Sequence, residues 1–346
     1  MMTPHTRILI VTQAVDLDNP VLGFFHRWVE ELATRFDSIV VVCLFEGRHS
    51  LPPNVEVFSL GKEKKEAYKV QYTQRFLALV WGLRNHYDSV FVHMNQEYIL
   101  VAGWLWNILG KRVYLWRNHY QPSALTGFTA FFCNKMFCTS RYSYIKKYSK
   151  TVIMPIGIDT EVFKPVNVAR KESVLSIGRI APSKRVEVLI DAIGLLAKDG
   201  VQLKAHIYGD ALPEDREYES GLQKRVQKAH IEHLIEFHSA VRNADTPALY
   251  SAHETFVNCS QSGMYDKTIF EAAACGMLSL ASSEDYAQVV DPRLSFDGAA
   301  KNLALKLKEI LALSTTEKEE LQKKSRALAE KNNVQVLGKR LAEEIH

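Results

Sequence analysis

Hydrophobic runs alternate with amphipathic stretches along the whole chain. Runs of β-branched and aromatic residues predict strands, and apolar residues spaced three and four positions apart predict helices. In the first half this pattern predicts helices near 23–35, 67–87 and 98–110, and strands at 7–13, 38–45, 55–60, 89–94, 112–116, 136–139 and 151–154. Such regular alternation is typical of a doubly wound parallel sheet.

The second half repeats the alternation after a segment at 155–165 that contains proline and glycine. It predicts a helix from residue 186, a helical tail from about residue 299 that ends in a helix at 337–345, and strands at 173–178, 203–208, 235–239, 255–258 and 278–281. The sequence therefore predicts an α/β fold with two Rossmann-like, doubly wound domains, and we place the boundary between them near residue 168.

Composition indicates the class of protein. Of the 346 residues 47% are hydrophobic and 24% charged, as in soluble globular proteins. The longest apolar run, 98–110, is shorter than the about 20 residues that cross a bilayer, and no apolar signal segment precedes the first strand. Five cysteines without a C-x-x-C pair indicate neither a zinc site nor a disulfide framework. We therefore expect a cytoplasmic protein.

Two predicted junctions of strand, loop and helix carry the candidate chemistry. The loop after strand 173–178 contains Arg179 and Lys184, two cations suited to a diphosphate at the carboxyl end of a buried strand. After strand 255–258, Asp266 opens a helix that contains Glu271 and stops at Gly276. The amino end of a helix favours phosphate and sugar hydroxyl groups because its backbone N–H groups are free.

These two motifs together resemble the donor-binding half of the retaining, GT-B-fold family 4 (group 1) glycosyltransferases. The resemblance covers nearly the whole chain and includes 155–165, which is similar to the interdomain segment of that family. It implies two domains that face each other across a cleft: an acceptor-binding domain at 1–168, with the last helix (334–346) packed back on it, and a nucleotide-sugar donor domain at 169–333.

The resemblance also implies roles for single residues. Arg179 and Lys184 would bind the diphosphate, Glu271 the ribose, and His119 would face the donor sugar. The implied catalytic residues are His119, Arg179 and Lys184, and the implied donor-binding residues are Arg179, Lys184, Gly263, Asp266, Lys267, Thr268 and Glu271.

Gly263 departs from the family pattern, which has a sugar-binding glutamate eight positions before Glu271. Asp266 and Lys267 are the polar candidates for that contact. Asp266 alternatively caps the helix, and the two roles are compatible.

The activity that the resemblance implies is transfer of a sugar, with retention of anomeric configuration, from a UDP- or GDP-sugar to a glycan or lipid-linked acceptor. Neither a cofactor nor a metal is expected. Asp16-Leu17-Asp18 has the D-x-D form of metal-dependent transferases, but its position beside Asn19-Pro20 favours a turn. Two alternatives stay open: another nucleotide-sugar enzyme of this fold, such as an epimerase, and a catalytically weakened sugar-nucleotide-binding partner.

Residues 101–150 contain eight Lys and Arg residues and no Asp or Glu, interleaved with aromatic residues. Single-stranded nucleic acid binding is not favoured, because no known module is recognisable. Lysines 146, 147 and 150 beside tyrosines are typical of an interfacial surface. We therefore expect peripheral contact with an anionic membrane, at its cytoplasmic face, and no nucleic-acid partner.

Overall fold

A computed structural model describes residues 6–19, 21–64, 68–260, 262, 263 and 265–345. The chain divides into a first unit, Met1–Gly157 with Val334–His346, and a second unit, Ile158–Asn333. The strands are β1 (Arg7–Val15), β2 (Ser38–Glu46), β3 (Val55–Ser59), β4 (Ser89–His93), β5 (Arg112–Trp116), β6 (Lys135–Cys138), β7 (Thr151–Ile153), β8 (Lys171–Ile177), β9 (Ala205–Tyr208), β10 (Ile235–His238), β11 (His253–Asn258) and β12 (Leu278–Ala281). The helices are α1 (Phe24–Ala33), α2 (Lys69–Gly82), α3 (Glu97–Ile108), α4 (Ala124–Phe132), α5 (Val186–Lys198), α6 (Arg216–Ala229), α7 (Thr246–Ser251), α8 (Lys267–Ala274), α9 (Glu284–Ala287), α10 (Ala300–Leu311), α11 (Thr315–Glu330) and α12 (Val334–Ile345).

The first unit is built on a parallel sheet with strand order β3-β2-β1-β4-β5-β6-β7. Side chains of α1 and α12 cover one face of the sheet, and side chains of α2 and α3 cover the other. Because both faces are buried, the strands are apolar throughout, which explains their clear signal in the sequence. The predicted doubly wound fold is confirmed.

Helix α12 completes the core of the first unit although it follows the second unit in the chain. Leu337, Leu341 and Ile345 are buried in the same apolar cluster as Trp28 of α1. Gly157 lies beneath them with φ of 75°, and a Cβ there would lie 2.2 Å from a methyl carbon of Leu337. Only glycine fits this position.

The first unit ends at Gly157, about ten residues before the boundary predicted near residue 168. The segment that follows packs on the second unit. Phe163 makes an edge contact with Tyr250, at 6.1 Å between ring centroids, and the Val166 N–H donates to Ser251 Oγ at 3.0 Å. A turn composition marks where regular structure stops, but it does not show on which side the segment packs.

The second unit has a parallel sheet with strand order β10-β9-β8-β11-β12. Helix α5 packs against α6 and α10, and α8 packs against α7 and α11. The strand order reverses between β8 and β11, which are neighbours in the sheet. In open parallel sheets, ligands bind outside the carboxyl ends of the strands at such a switch point.

Two helices of the first unit differ from the sequence prediction. The helix predicted at 67–87 is shorter: Ala67 lies outside the described residues, and α2 ends at Gly82, since glycine is a poor helix former. Helix α4 was not predicted because its solvent-facing positions Leu125, Phe128 and Phe131 are apolar, which conceals the helical pattern. No helix in the described part of the chain is long and apolar enough to span a bilayer.

Candidate functional site

The two loops singled out in the sequence leave the second sheet at the same place. One follows β8 and the other follows β11, the two strands between which the strand order reverses. The first loop contains a short 3₁₀ turn, Pro182–Lys184, and Arg185 then adopts a left-handed conformation (φ 51°) from which α5 begins. This turn directs Lys184 towards the second loop.

Two glycines allow the first loop to lie against the end of β9. Gly178 has φ of 157° and Gly209 φ of 155°. A Cβ on Gly209 would lie 1.9 Å from the carbonyl oxygen of Gly178, so no side chain is possible there. The Gly178 N–H donates to Tyr208 O at 3.0 Å, which extends the strand pairing into the loop.

Lys184 and Asp266 form the central contact of the site. The Lys184 ammonium donates to both carboxylate oxygens of Asp266, at 2.8 Å and 2.7 Å. The Asp266 carboxylate also accepts from Ser260 Oγ at 2.6 Å and from Asn258 Nδ2 at 2.9 Å. Burial favours the protonated acid, but Lys184 and these hydrogen bonds hold the pKa of Asp266 below its usual 3.8. The carboxylate is therefore charged at neutral pH.

This contact corrects one of the two roles expected of Asp266. The residue stands at the N-cap position of α8, with φ of −72° and ψ of 133°, but within the described residues its side chain makes no capping hydrogen bond. Its carboxylate turns instead to Lys184, a partner 82 positions away. The helix-cap interpretation is wrong for the side chain, and Asp266 holds the Lys184 side chain in place.

Gly263 is buried in the turn before α8 and has φ of 92°. This is a left-handed conformation, which residues with a Cβ adopt only with strain. The structure therefore favours glycine where the resembled family has glutamate. Thr268, in the first turn of α8, approaches Asn258 Nδ2 at 3.5 Å.

Glu271 lies inside α8 and is 4% exposed. Its carboxylate accepts from the Tyr250 hydroxyl at 3.2 Å. Burial raises the pKa of Glu271, and it lowers the pKa of Lys267, whose ammonium interacts with the same carboxylate one turn away. The two predicted donor-binding residues Lys267 and Glu271 thus lie together on α8.

Arg179 is the most exposed cation of the site, with 46% of its side chain accessible, and its Nε lies 3.9 Å from Asp215 Oδ2. Arg179, Lys184, Asn258 and Ser260 line one pocket. The structure therefore brings both predicted diphosphate ligands to the same pocket at the switch point.

His119 belongs to the first unit and follows β5. Its Nδ1 accepts from the Gln121 N–H at 3.0 Å, and its ring stacks on Tyr120 at 5.2 Å. Burial and the charge of Arg117 lower the pKa of His119, so the imidazole is neutral at pH 7. Its predicted role at the donor sugar stays a prediction.

The Asp16-Leu17-Asp18 segment forms the expected turn. Asp16 Oδ1 accepts from the Asp18 N–H at 3.1 Å, and Asp18 pairs with Arg48 at 2.8 Å. Both carboxylates are engaged in interactions that fix the loop.

Three residues that hold the side chains of the site were not predicted from the sequence. Asn258 and Ser260 hold Asp266, and Tyr250 holds Glu271. The signal that could have found the first two was the position of two polar residues directly after a buried strand. Tyr250 gave no signal, because an aromatic residue in a helix is usually part of the core.

Comparison with known families gives a match for the second unit. Residues 158–324 match the family Glycosyl transferases group 1. Mannosylfructose-phosphate synthase of Agrobacterium fabrum is 28% identical over 138 residues, which cover 36% of this chain and 30% of that protein. One component of the phosphatidylinositol N-acetylglucosaminyltransferase of Arabidopsis thaliana is 23% identical over 137 residues, which cover 39% of this chain and 30% of that protein. The matches thus span about a third of the length of these relatives.

Solved structures share the fold along the whole chain. HepE of Anabaena, in complex with UDP and glucose, has a TM-score of 0.78 at 19% identity, and the match covers 98% of this chain and 99% of that one. Sucrose-phosphate synthase of Thermosynechococcus elongatus has a TM-score of 0.76 at 16% identity, and the match covers 97% of this chain and 98% of that one. The second unit thus matches the glycosyl transferases group 1 family, and the chain as a whole has the fold of the GT-B glycosyltransferases.

Proposed function

We propose that the protein transfers a sugar from a nucleotide diphosphate sugar to an acceptor, with retention of anomeric configuration and without a metal. The observation that carries this proposal is the convergence of Arg179 and Lys184 on one pocket at the switch point of a group 1 glycosyltransferase fold. Two cations at this place match the charge of a diphosphate.

In the proposed reaction, the bond between the anomeric carbon and the diphosphate oxygen breaks, and the acceptor oxygen attacks the same face of the sugar. The leaving phosphate takes the proton of the acceptor hydroxyl. Arg179 and Lys184 stabilise the negative charge that develops on the diphosphate, a type of contribution that is often the largest in enzymes.

Asp266 acts in this scheme as a positioning residue. An ammonium group has three N–H donors, and the carboxylate of Asp266 accepts from Lys184 through both oxygens. The lysine is thus held in one rotamer before the donor arrives, and an ammonium hydrogen remains available for a phosphate oxygen. Preorganisation of this kind lowers the free energy of reorganisation in the transition state.

The nucleotide of the proposed donor is UDP or GDP. Support for UDP comes from HepE of Anabaena, which has this fold and was solved with UDP and glucose. Glu271, buried in α8 and held by Tyr250, is the proposed ribose ligand.

One observation favours a second candidate function. Gly263 has no side chain to bind a donor sugar, and its φ of 92° disfavours any other residue. A protein that binds the sugar nucleotide without transfer fits this feature.

A turnover experiment separates these functions. Purified protein is incubated with UDP- and GDP-sugars, with and without a lipid-linked acceptor, and release of nucleotide diphosphate is measured. We expect release that depends on the acceptor and persists in EDTA. Donor binding without any release would favour the binding protein, acceptor-independent release would favour an epimerase-type enzyme, and loss in EDTA restored by manganese would contradict metal independence.

We also propose that the first unit contacts an anionic membrane, where a lipid-linked acceptor would be found. Five large apolar side chains are exposed on two helices of the first unit: Trp104 and Ile108 on α3, and Leu125, Phe128 and Phe131 on α4. Tyr148, which directly follows the cationic turn Tyr144–Lys147, has its Oη 3.8 Å from the position that a Cβ on Gly127 of α4 would occupy, so the turn lies close to α4. Apolar side chains beside lysines are typical of interfacial binding.

The three lysines proposed from the sequence for the membrane contact differ in their exposure. Lys146 and Lys147 are exposed, but Lys150 is partly buried and its ammonium donates to Cys133 O at 2.7 Å. Lys150 is therefore part of the fold, and the membrane contact is proposed for the other two.

Vesicle sedimentation tests this contact. Wild-type protein should bind phosphatidylcholine vesicles that contain phosphatidylserine, more weakly at high salt. The pairs Phe128→Ser with Phe131→Ser and Lys146→Glu with Lys147→Glu should each release it, whereas Leu305→Ser, an exposed apolar position of the second unit, should not. Equal binding by all variants would contradict the proposal.

A further inference from the structure

Three polar side chains meet at the edge of the second sheet, on strands that carry none of the donor-binding residues. His206 lies on β9, and Glu236 and His238 lie on β10. Glu236 is paired directly with His206 across the strands, and the side chains of residues 236 and 238 point to the same face of the sheet. The backbone register therefore fixes all three side chains on one face.

The ligand atoms of these residues are close to one another. His206 Nδ1 is 3.2 Å from Glu236 Oε2 and 3.3 Å from His238 Nε2, and His238 Nε2 is 3.7 Å from the same carboxylate oxygen. Zinc binds imidazole nitrogen and carboxylate oxygen at about 2.0 to 2.2 Å in tetrahedral geometry, which places ligand atoms roughly 3.3 to 3.6 Å apart. The three distances are those of one face of such a tetrahedron.

One residue of this cluster is buried, and the other two are accessible to solvent. His206 is 8% exposed, whereas the side chains of His238 and Glu236 are 32% and 43% exposed. Glu236 Oε1 faces Lys204 Nζ at 3.6 Å, so Oε2 is the oxygen directed at the imidazoles. Burial lowers the pKa of His206 despite the nearby Glu236 carboxylate. A neutral imidazole is the form that binds metals.

A sheet face with this composition is unusual, because parallel sheets are normally apolar on both faces. His253 of β11 lies beside His206, at 4.8 Å between ring centroids, and its Nδ1 pairs with Ser173 Oγ at 2.7 Å. The donor site uses none of these side chains. In the described part of the chain, His206, Glu236 and His238 are the one group whose ligand atoms are spaced for a metal ion.

We propose that His206, Glu236 and His238 bind one divalent transition-metal ion of the zinc type, with water as the remaining ligand. Two imidazoles and a carboxylate favour zinc, cobalt and nickel over magnesium and calcium, which prefer oxygen ligands. The ion would link β9 to β10 at the edge of the sheet and stabilise the second unit. Sugar transfer would not need it.

Metal titration tests the proposal on full-length protein without a polyhistidine tag, freed of metal by a chelator. Calorimetry with zinc chloride should show one site per chain, and cobalt should give the visible absorption of a tetrahedral complex. Glu236→Gln and His238→Gln, both at accessible positions, should each raise the Kd at least tenfold. His233→Gln is the matched control, an exposed histidine that contacts Gln202 at 3.1 Å outside the cluster.

Two sets of results would contradict the proposed metal site. Unchanged zinc affinity in Glu236→Gln and His238→Gln would mean adventitious binding elsewhere and would overturn the proposal, as would the absence of a site with one-to-one stoichiometry in the wild type. Zinc should also raise the Tm of the wild type and of His233→Gln, and leave the Tm of His238→Gln unchanged. Equal Tm increases in all three would contradict the assigned ligands.

Discussion

The two units share a topology but fill their switch points differently. In the first unit, β1 and β4 flank this point, and the ring of His93 at the end of β4 stacks on Phe25 at 4.0 Å with 2% of the residue exposed. In the second unit, the corresponding strands β8 and β11 lead to Lys184 and Asp266, an ion pair whose lysine lines a small pocket.

This difference shows that strand order fixes where a ligand can bind, while the loop residues decide whether one does. Aromatic packing closes the switch point of the first unit: Trp28, 2% exposed, contacts His93 and donates to Gly157 O at 2.7 Å. The second unit keeps charged groups there. Variants in each unit should therefore affect different properties.

The largest effect is expected from Lys184→Ala. Loss of a preorganised charge directed at the leaving group should lower kcat about a hundredfold, which corresponds to about 3 kcal/mol. Arg48→Ala, which removes the cation paired with Asp18 in the first unit, should change kcat less than twofold. Steady-state kinetics measures both. Similar losses in the two variants would remove the proposed difference between the units.

Gly157→Ala should destabilise the first unit by about 3 kcal/mol, because an added methyl group meets Leu337 and Trp28 and φ is positive. Gly110→Ala is the matched control: φ is also positive, at 67°, but nothing lies within 4 Å of the Cβ position. The free energy of unfolding of Gly110→Ala should therefore fall by only about 1 kcal/mol. Urea unfolding gives both values, and equal values would mean that packing against α12 contributes little.

Asp266→Asn should lower stability by about 2 kcal/mol at pH 7, because it leaves the partly buried Lys184 without its charged partner. The pKa of Asp266 is lower in the folded state than the usual 3.8, so its contribution is present above pH 3.8 and lost as the pH falls below it. The difference between variant and wild type in urea unfolding should therefore shrink in acid. A difference independent of pH would indicate lost packing instead.

Glu271→Gln should have the smallest effect, a loss of nucleotide affinity of about 1 kcal/mol with kcat nearly unchanged. A ribose contact is the same in the ground state and the transition state, so its loss raises KM alone. Calorimetry with UDP and GDP measures the affinity. Binding unaffected by the substitution would leave Glu271 with a structural role, in contact with Tyr250 and Lys267.

The sequence predicted elements better than contacts. Strands such as β5 and β12 were predicted with their observed ends, because buried parallel strands are uniformly apolar. The ion pair of Lys184 with Asp266 joins residues 82 positions apart and depends on tertiary packing. The departure at Gly263 was visible in the sequence, but its left-handed conformation was not.

Helix α12 has a consequence for how the protein is made. It seals the core over Trp28 and is translated only after residues 158–333. At about 5 to 20 residues per second, the ribosome needs roughly 10 to 35 seconds for that stretch. During this interval the second unit can fold completely, while the first exposes the apolar groove that α12 later fills. Nascent chains of this protein should therefore present a chaperone-binding surface on the domain that was synthesised first.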